Sequence, residues 1–157
     1  MNSSTKSVAL VGIVLTVGLY AGVARSDDAA IIDARQTVMK SQGKDLSAIK
    51  AYIDDKADLA SAQTAGADLV TQVAKIPEQF PKGTGMDAYP GKSYVKPAVW
   101  TEWDKFSDQA KTASDKAVAL NTALKGGDKA AITAAFGDMG KNGCGACHEP
   151  FREKKPS

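Results

Sequence analysis

Two cysteines three residues apart, followed at once by a histidine, are the clearest candidates for a chemical function in this sequence. They are Cys144, Cys147 and His148, in the run Cys-Gly-Ala-Cys-His. On a helix, residues three apart lie on one face, so both thiols can reach the vinyl groups along one edge of a porphyrin. The adjacent imidazole is a good iron ligand. This spacing is the C-x-x-C-H signature of c-type haem attachment, and it predicts one haem c, bound through two thioethers and ligated by His148.

Two other chemistries use similar residues. A thioredoxin-like dithiol places its C-x-x-C at the start of a helix that follows a strand, whereas this pair lies late in a chain without a strand pattern. A structural zinc site needs four ligands, and two thiolates with one imidazole leave one missing. Neighbouring ligands at 147 and 148 also fit a tetrahedron poorly. Because His148 is the only histidine in the sequence, its place directly after Cys147 favours haem over both alternatives.

The first 26 residues have the pattern of a secretory signal. Lys6 precedes a charge-free run of 17 residues, Val8–Ala24, which is at the lower limit for spanning a bilayer. We expect residues 1–26 to be removed, by cleavage after Ala24 or Ser26, and a single domain to comprise residues 27–157. Only an uncleaved segment would attach the protein to a membrane. Because haem c is attached outside the bacterial cytoplasm, the signal and the motif agree on a periplasmic protein.

The charge balance argues against nucleic acid as a partner. The sequence has 20 Lys and Arg residues, and without Lys6 and Arg25 residues 27–157 keep 18, against 18 Asp and Glu. Neutralising phosphates requires a concentrated basic face, which a balanced chain of this kind lacks. We also expect no disulfide, because a bond between cysteines three residues apart closes almost no loop and stabilises little.

Four amphipathic segments predict an all-α fold. They cover about 28–53, 61–76, 97–126 and 129–154, and a connection rich in proline and glycine covers 77–96. The inward stripes are Ile32, Met39, Leu46 and Ile53; Ala62, Ala65, Leu69, Val73 and Ile76; Trp103, Phe106, Ala110, Ala113, Ala117, Leu120 and Leu124; and Ile132, Ala135, Phe136, Met139 and Gly143. Such helices should pack as an antiparallel up-down four-helix bundle, whose small inward residues leave room for a large apolar ligand.

The region after the signal resembles the class II c-type cytochromes, which comprise the cytochrome c′ family and its low-spin, methionine-ligated relatives. The matching runs are Arg35-Gln36-Thr37-Val38-Met39-Lys40, Phe80-Pro81-Lys82-Gly83-Thr84, Pro97-Ala98-Val99-Trp100, and Cys144 to Arg152. The resemblance implies a bundle with covalent haem and a homodimer through the first two helices. It also implies that Arg35 and Gln36 lie near the haem edge, with Arg35 against a propionate, and that Arg152 lies on the His148 side. For Gln36 and Arg152, an ordinary surface position is the alternative.

Whether Met39 ligates the haem iron distinguishes two functions. The resemblance implies that it faces the distal side of the haem, where low-spin members use a methionine as the sixth ligand and high-spin members use an apolar side chain as a shield. With Met39 bound, a saturated iron suits a one-electron carrier that exchanges electrons with redox partner proteins, and this is the expected function. With Met39 unbound, an open apolar face admits nitric oxide or carbon monoxide. A plain core methionine is the third interpretation.

An enzyme is not expected from this sequence. Peroxidase-like chemistry requires a polar distal pocket with an acid-base group. No second histidine exists, and no paired carboxylates accompany the motif.

Overall fold

A computed structural model describes residues 21–154, with side chains from residue 27. Most of the expected signal segment, residues 1–20, lies outside the described residues. The described chain is helical, and its only β pairing is an isolated antiparallel bridge between Val95 and Arg152. The predicted all-α class is therefore confirmed. Between residues 21 and 154, no helix is both long and apolar enough to cross a membrane.

Four long helices form the bundle, and two short ones accompany them. In chain order they are α1 (Ala21–Ile53), α2 (Leu59–Val73), the short α3 (Ala98–Thr101), α4 (Trp103–Gly126), α5 (Lys129–Asp138) and the short α6 (Ala146–Phe151). α1 packs against α2, α2 against α4 and α4 against α5, and α5 closes the ring against α1. This is the expected four-helix bundle, in which α1 begins seven residues before its predicted start.

The helix ends follow from local capping. Asp58 precedes α2 and its carboxylate accepts a hydrogen bond from the Ser61 backbone N–H at 2.7 Å. Asp128 precedes α5 and accepts from the backbone N–H groups of Ala130 and Ala131. Gly127 ends α4 at φ +75°, a conformation that glycine adopts without steric cost. These caps make the short turns that set successive helices antiparallel.

The third predicted helix is interrupted, which the sequence pattern did not indicate. Glu102 leaves helical geometry at φ −124° and ψ 44°, so α3 and α4 are separate helices. Val99 and Phe106 are both buried, but Trp103 between them is 39% exposed. The break turns Trp103 outward, where its ring is tilted by 42° against that of Phe106, with 5.3 Å between the centroids. Its predicted place in the inward stripe was wrong.

The fourth predicted helix also changes geometry along its length. α5 passes into a π-helical segment, Met139–Gly145, before α6 begins, and α6 ends at Phe151 rather than at residue 154. Three glycines lie within the π-helical segment, where their low helix propensity favours departure from α geometry. Arg152 is extended and joins the bridge to Val95.

The connection between α2 and α3 is held against the end of the bundle. Its backbone pairs with the end of α6 and the residues beyond it, through Lys96 N–H to Phe151 O at 3.0 Å and Glu153 N–H to Tyr94 O at 2.8 Å. The Trp100 indole N–H donates to Phe80 O at 2.9 Å. The connection is thereby tied to both α3 and α6, as an ordered wall rather than a free loop.

The core agrees with most of the predicted stripes, with a few members at its edge. Phe106 contacts the rings of Phe80 and Phe151, at 4.9 Å and 5.4 Å between centroids. Predicted inward residues that are only half-buried are Met39, Leu46, Ile53, Ala135 and Phe136. Small residues line much of α2 and α4, so the aromatic rings fill one part of the interior and leave a cavity beside them.

Candidate cofactor site

A cavity of about 670 Å³ opens among α1, α2, α4, the π-helical segment, α6 and the α2–α3 connection. Its volume lies within the range of about 300–1,000 Å³ that is usual for cofactor pockets. All seven residues that the sequence analysis named for the site line this one cavity: Arg35, Gln36, Met39, Cys144, Cys147, His148 and Arg152. The fold therefore brings together residues that are more than 100 positions apart in the chain.

The π-helical segment directs the cysteine motif toward the cavity. Met139 and Cys144 are five residues apart and would point in different directions on an α-helix, but an i→i+5 turn brings them to one side. A Cβ at residue 143 would lie 2.9 Å from Met139 Sδ, so glycine leaves room there for the Met139 side chain. Cys147 then follows on α6, and both thiols line the cavity.

Burial controls the protonation of the motif. It raises the pKa of the Cys144 thiol, and it raises the pKa of Cys147 to about 11, with the neighbouring Cys144 adding to the effect. Reactive dithiols have lowered thiol pKa values, so this pair is not poised for thioredoxin-like exchange. Burial lowers the pKa of His148, and the charge of Arg152 lowers that pKa further. The imidazole is therefore neutral at neutral pH, in the form that binds a metal.

Arg35 is a buried cation held by hydroxyl and carbonyl groups. It is 4% exposed, and its guanidinium donates to Thr84 Oγ1 and O at 2.9 Å, and to Gln79 O and Ser93 Oγ at 3.2 Å. It also lies 4.8 Å from the centroid of the Phe80 ring. Burial lowers its pKa to about 10, so it remains charged at neutral pH. Among the described residues no carboxylate lies within ion-pair distance of this guanidinium.

No pattern in the sequence reveals the hydroxyl groups that hold Arg35. Thr84 and Ser93 are 0% and 2% exposed, although they belong to an irregular connection in which polar residues are usually solvated. Ser93 Oγ also donates to Thr84 O at 2.8 Å. Their sequence separations from Arg35, 49 and 58 residues, carry no local periodic signal.

Gln36 and Arg152 lie at the rim of the cavity. The Gln36 amide N–H₂ donates to Lys92 O at 2.6 Å, which joins α1 to the α2–α3 connection. Arg152 is exposed, and its backbone N–H donates to His148 O at 3.0 Å. Arg152 lies beside His148 at this rim, and contact of either side chain with a cofactor stays a prediction. The guanidinium of Arg152 makes no ion pair with the side chains of residues 27–154.

Met39 and Gln42 line the cavity from α1, one turn apart. Met39 was predicted here, whereas Gln42 was not. Gln42 is 8% exposed, and its amide Nε2 has no hydrogen-bond partner. The signal that could have found it is the second heptad of α1, Arg35, Gln42 and Ile49, which is buried beside the apolar heptad that contains Met39. Two of its three members are polar, so an apolar pattern does not reveal them.

Replacing Arg35 with methionine, Arg35→Met, should destabilise the haem-loaded protein by about 2–4 kcal/mol. The change leaves the buried acceptors on Thr84, Ser93 and Gln79 without their donor. Urea unfolding followed by circular dichroism measures the effect.

The matched control is Lys111→Met on α4, which removes an exposed cation that is 2.7 Å from Asp115. Such surface pairs contribute about 0–1 kcal/mol, so this variant should unfold close to the parent. Equal stability of the two variants would contradict a structural role for the Arg35 cluster.

The chemistry of the cavity fits a haem. Two thiols on one wall can form thioethers, a neutral imidazole and a thioether can ligate iron, and a buried arginine without a carboxylate partner can meet a propionate. The remaining lining is largely apolar, with Val73, Ile76 and Phe106 among its members.

Comparison with known proteins agrees with this assignment. The family described as Cytochrome C′ matches residues 30–152. The chain is 34% identical to the cytochrome c′ of Rhodospirillum rubrum, over 81% of this chain and 84% of that protein. It is 30% identical to a cytochrome c-556 of Agrobacterium tumefaciens, over 79% of this chain and 98% of that protein.

Solved structures share the same architecture. The fold superposes on the nitric oxide complex of a variant of cytochrome c prime from Alcaligenes xylosoxidans, with a TM-score of 0.69 and 25% identity. That alignment covers 79% of this chain and 94% of the other. The fold also superposes on a cytochrome c′ with a ligand-controlled dimer dissociation, with a TM-score of 0.75 and 24% identity, over 81% of this chain and 97% of the other.

Proposed function

The chain belongs to the cytochrome c′ family, and from this premise we propose that it is a periplasmic one-electron carrier whose haem iron is ligated by His148 and Met39. The observation that carries the proposal is that Met39 and His148 line the same cavity as Cys144 and Cys147. Met39 comes from α1 and His148 from α6, so two separate elements supply the two candidate ligands.

Family membership decides the cofactor and leaves the sixth ligand open. Members are non-enzymatic haem proteins of the bacterial periplasm, and they bind haem c covalently through the cysteines of the C-x-x-C-H motif. In this chain those cysteines are Cys144 and Cys147. The relatives include both the high-spin c′ type and the c-556 and c-554 types. Ligation by Met39 and transport of electrons are therefore our proposal.

The haem and its two candidate ligands have distinct parts in this proposal. The haem supplies a ferric–ferrous couple that accepts and releases one electron. His148, neutral because burial lowers its pKa, would ligate the iron through its imidazole, and Met39 would offer its thioether sulfur as a second ligand. With two side chains of the protein as ligands, the iron would need little rearrangement on reduction, and thioether ligation would raise the reduction potential.

The surroundings of the cavity support electron transfer over catalysis. Arg35 provides a buried positive charge for a propionate, and its four hydrogen bonds hold it in place. Val73, Ile76 and Phe106 line the cavity with apolar surface, which would limit the access of water to a bound haem. Residues 1–26 serve as the export signal in this proposal, and a homodimer through α1 and α2 stays a prediction.

The second candidate is a five-coordinate haem that binds nitric oxide or carbon monoxide. The nitric oxide complex of the Alcaligenes xylosoxidans relative favours it, as does the identity to the cytochrome c′ of Rhodospirillum rubrum. In this case Met39 would shield the iron without binding it. The proposed carrier and this gas binder use the same residues of the site, and they differ only in whether the Met39 sulfur is bonded to the iron.

Absorption spectra of the haem-loaded protein test the proposal. A low-spin ferric spectrum with the weak long-wavelength band of sulfur-to-iron charge transfer would support ligation by Met39. Carbon monoxide should then bind the ferrous protein slowly, because it must displace the thioether. A high-spin ferric spectrum with rapid carbon monoxide binding would contradict the electron carrier and support the gas-binding protein.

A further inference from the structure

Gln42 holds a buried hydrogen-bond donor that none of the described residues satisfies. Its side chain is 8% exposed, its Nε2 has no partner, and the residue lines the haem cavity. A buried donor without a partner incurs the full desolvation penalty of the group, so buried amides in folded proteins almost always have one. The expected partner of Gln42 therefore belongs to the loaded cavity.

The neighbours of Gln42 narrow the choice of partner. The other buried polar side chain of α1 in the cavity, Arg35, is a donor and cannot accept a hydrogen bond. The lining also includes acceptors on Gln36, Tyr94 and Glu153, but none of these side chains is buried as Gln42 is. A bound haem would add its propionates, for which Arg35 is the buried cation. Met39 lies three residues before Gln42, so the two side chains share one face of α1. Its thioether sulfur is a weak acceptor that keeps a free lone pair after ligating a metal.

We propose that Gln42 Nε2 donates a hydrogen bond to Met39 Sδ in the haem-loaded protein and thereby raises the reduction potential. The inference rests on the proposed ligation by Met39. A donor on the sulfur withdraws electron density and weakens its donation to iron, which disfavours the ferric state more than the ferrous state. The redox step itself transfers one electron from a partner protein to the iron and moves no proton. Gln42 is thus a positioning residue that acts through Met39.

The test compares Gln42→Leu with the parent in redox titrations of the haem-loaded protein. Leucine keeps the approximate volume and removes the donor. The reduction equilibrium should shift about tenfold toward the ferric state, which corresponds to about 59 mV for one electron. The sulfur-to-iron band of the ferric protein should move in wavelength and remain present, because Met39 still ligates.

Gln72→Leu is the matched control on α2. Gln72 also has an unpartnered buried amide atom, its Oε1, while its Nε2 donates to Asp45 at 2.9 Å, and it does not line the cavity. This variant should leave the reduction equilibrium of the haem unchanged. Gln42→Asn serves as a second test variant, because it keeps an amide but withdraws it by one methylene, and it should shift the equilibrium in the same direction as leucine.

The sign of the shift separates the hydrogen bond from a general polarity effect. Replacing an amide by leucine makes the pocket less polar, which by itself favours the less charged ferrous state and would raise the potential. An unchanged or raised potential in Gln42→Leu, with the sulfur-to-iron band present in the parent, would overturn this inference alone. A parent protein without that band would overturn the proposed function and this inference together.

Discussion

The double variant Cys144→Ala, Cys147→Ala should carry no covalent haem, and each single replacement should prevent stable haem incorporation. Both thiols lie on one wall of the cavity, and each forms one thioether to the porphyrin. The measurement is a denaturing gel stained for haem after expression in a host competent in cytochrome maturation. Non-covalent haem is lost under denaturation, so the staining reports thioether bonds alone.

Ala146→Ser provides the control for this experiment. Residue 146 lies between the cysteines, and the change keeps the C-x-x-C-H spacing and both thiols. Its haem staining should equal that of the parent. Undiminished staining of the double cysteine variant would exclude the attachment chemistry on which the whole site depends.

Met39→Leu should convert the ferric haem from low spin to high spin, the second large effect. Leucine approximates the volume of methionine and so preserves the packing of α1, but it has no sulfur to ligate the iron. The sulfur-to-iron band should disappear, and carbon monoxide should bind the ferrous protein faster because nothing has to leave the iron. The reduction potential should fall by on the order of 0.1 V, within the span of about 0.8 V that axial ligands command.

Met139→Leu is the control that makes this result specific. Met139 is the other methionine that lines the cavity, and it is 1% exposed beside Gly143. It lies in the π-helical segment, just before the attachment site, so its replacement should leave the ferric spectrum low-spin. If the band vanished in Met139→Leu and persisted in Met39→Leu, the sixth ligand would be Met139.

Sequence periodicity was sufficient for the architecture and failed where the chain departs from regular geometry. It placed the four helices because each stripe repeats within one segment. The structure adds that Asp58, Asp128 and Gly127 mark the ends of three of them by local hydrogen bonds or backbone conformation. It placed Trp103 inside because a continuous helix would bury it, and the break at Glu102 was invisible to that argument. No glycine or proline lies within four residues of Glu102, so no residue type signals this break locally.

The haem motif and the candidate ligands could be predicted from the sequence, because the residues that signal them are close together in the chain. Cys144, Cys147 and His148 are neighbours in the chain, so their chemistry is encoded by spacing alone. Met39 could be named through the resemblance of the residues around it to those of a known family.

What the sequence determined by itself was therefore the class of fold and the mode of cofactor attachment, because both depend on residues within a turn or two of each other. The tertiary structure alone decided that Arg35 is held by Thr84 and Ser93, and that Gln42 is buried facing the cavity without a partner. These are contacts or cavities formed between distant segments. Their existence depends on how the helices and the connection pack together, which no local pattern of residue types specifies.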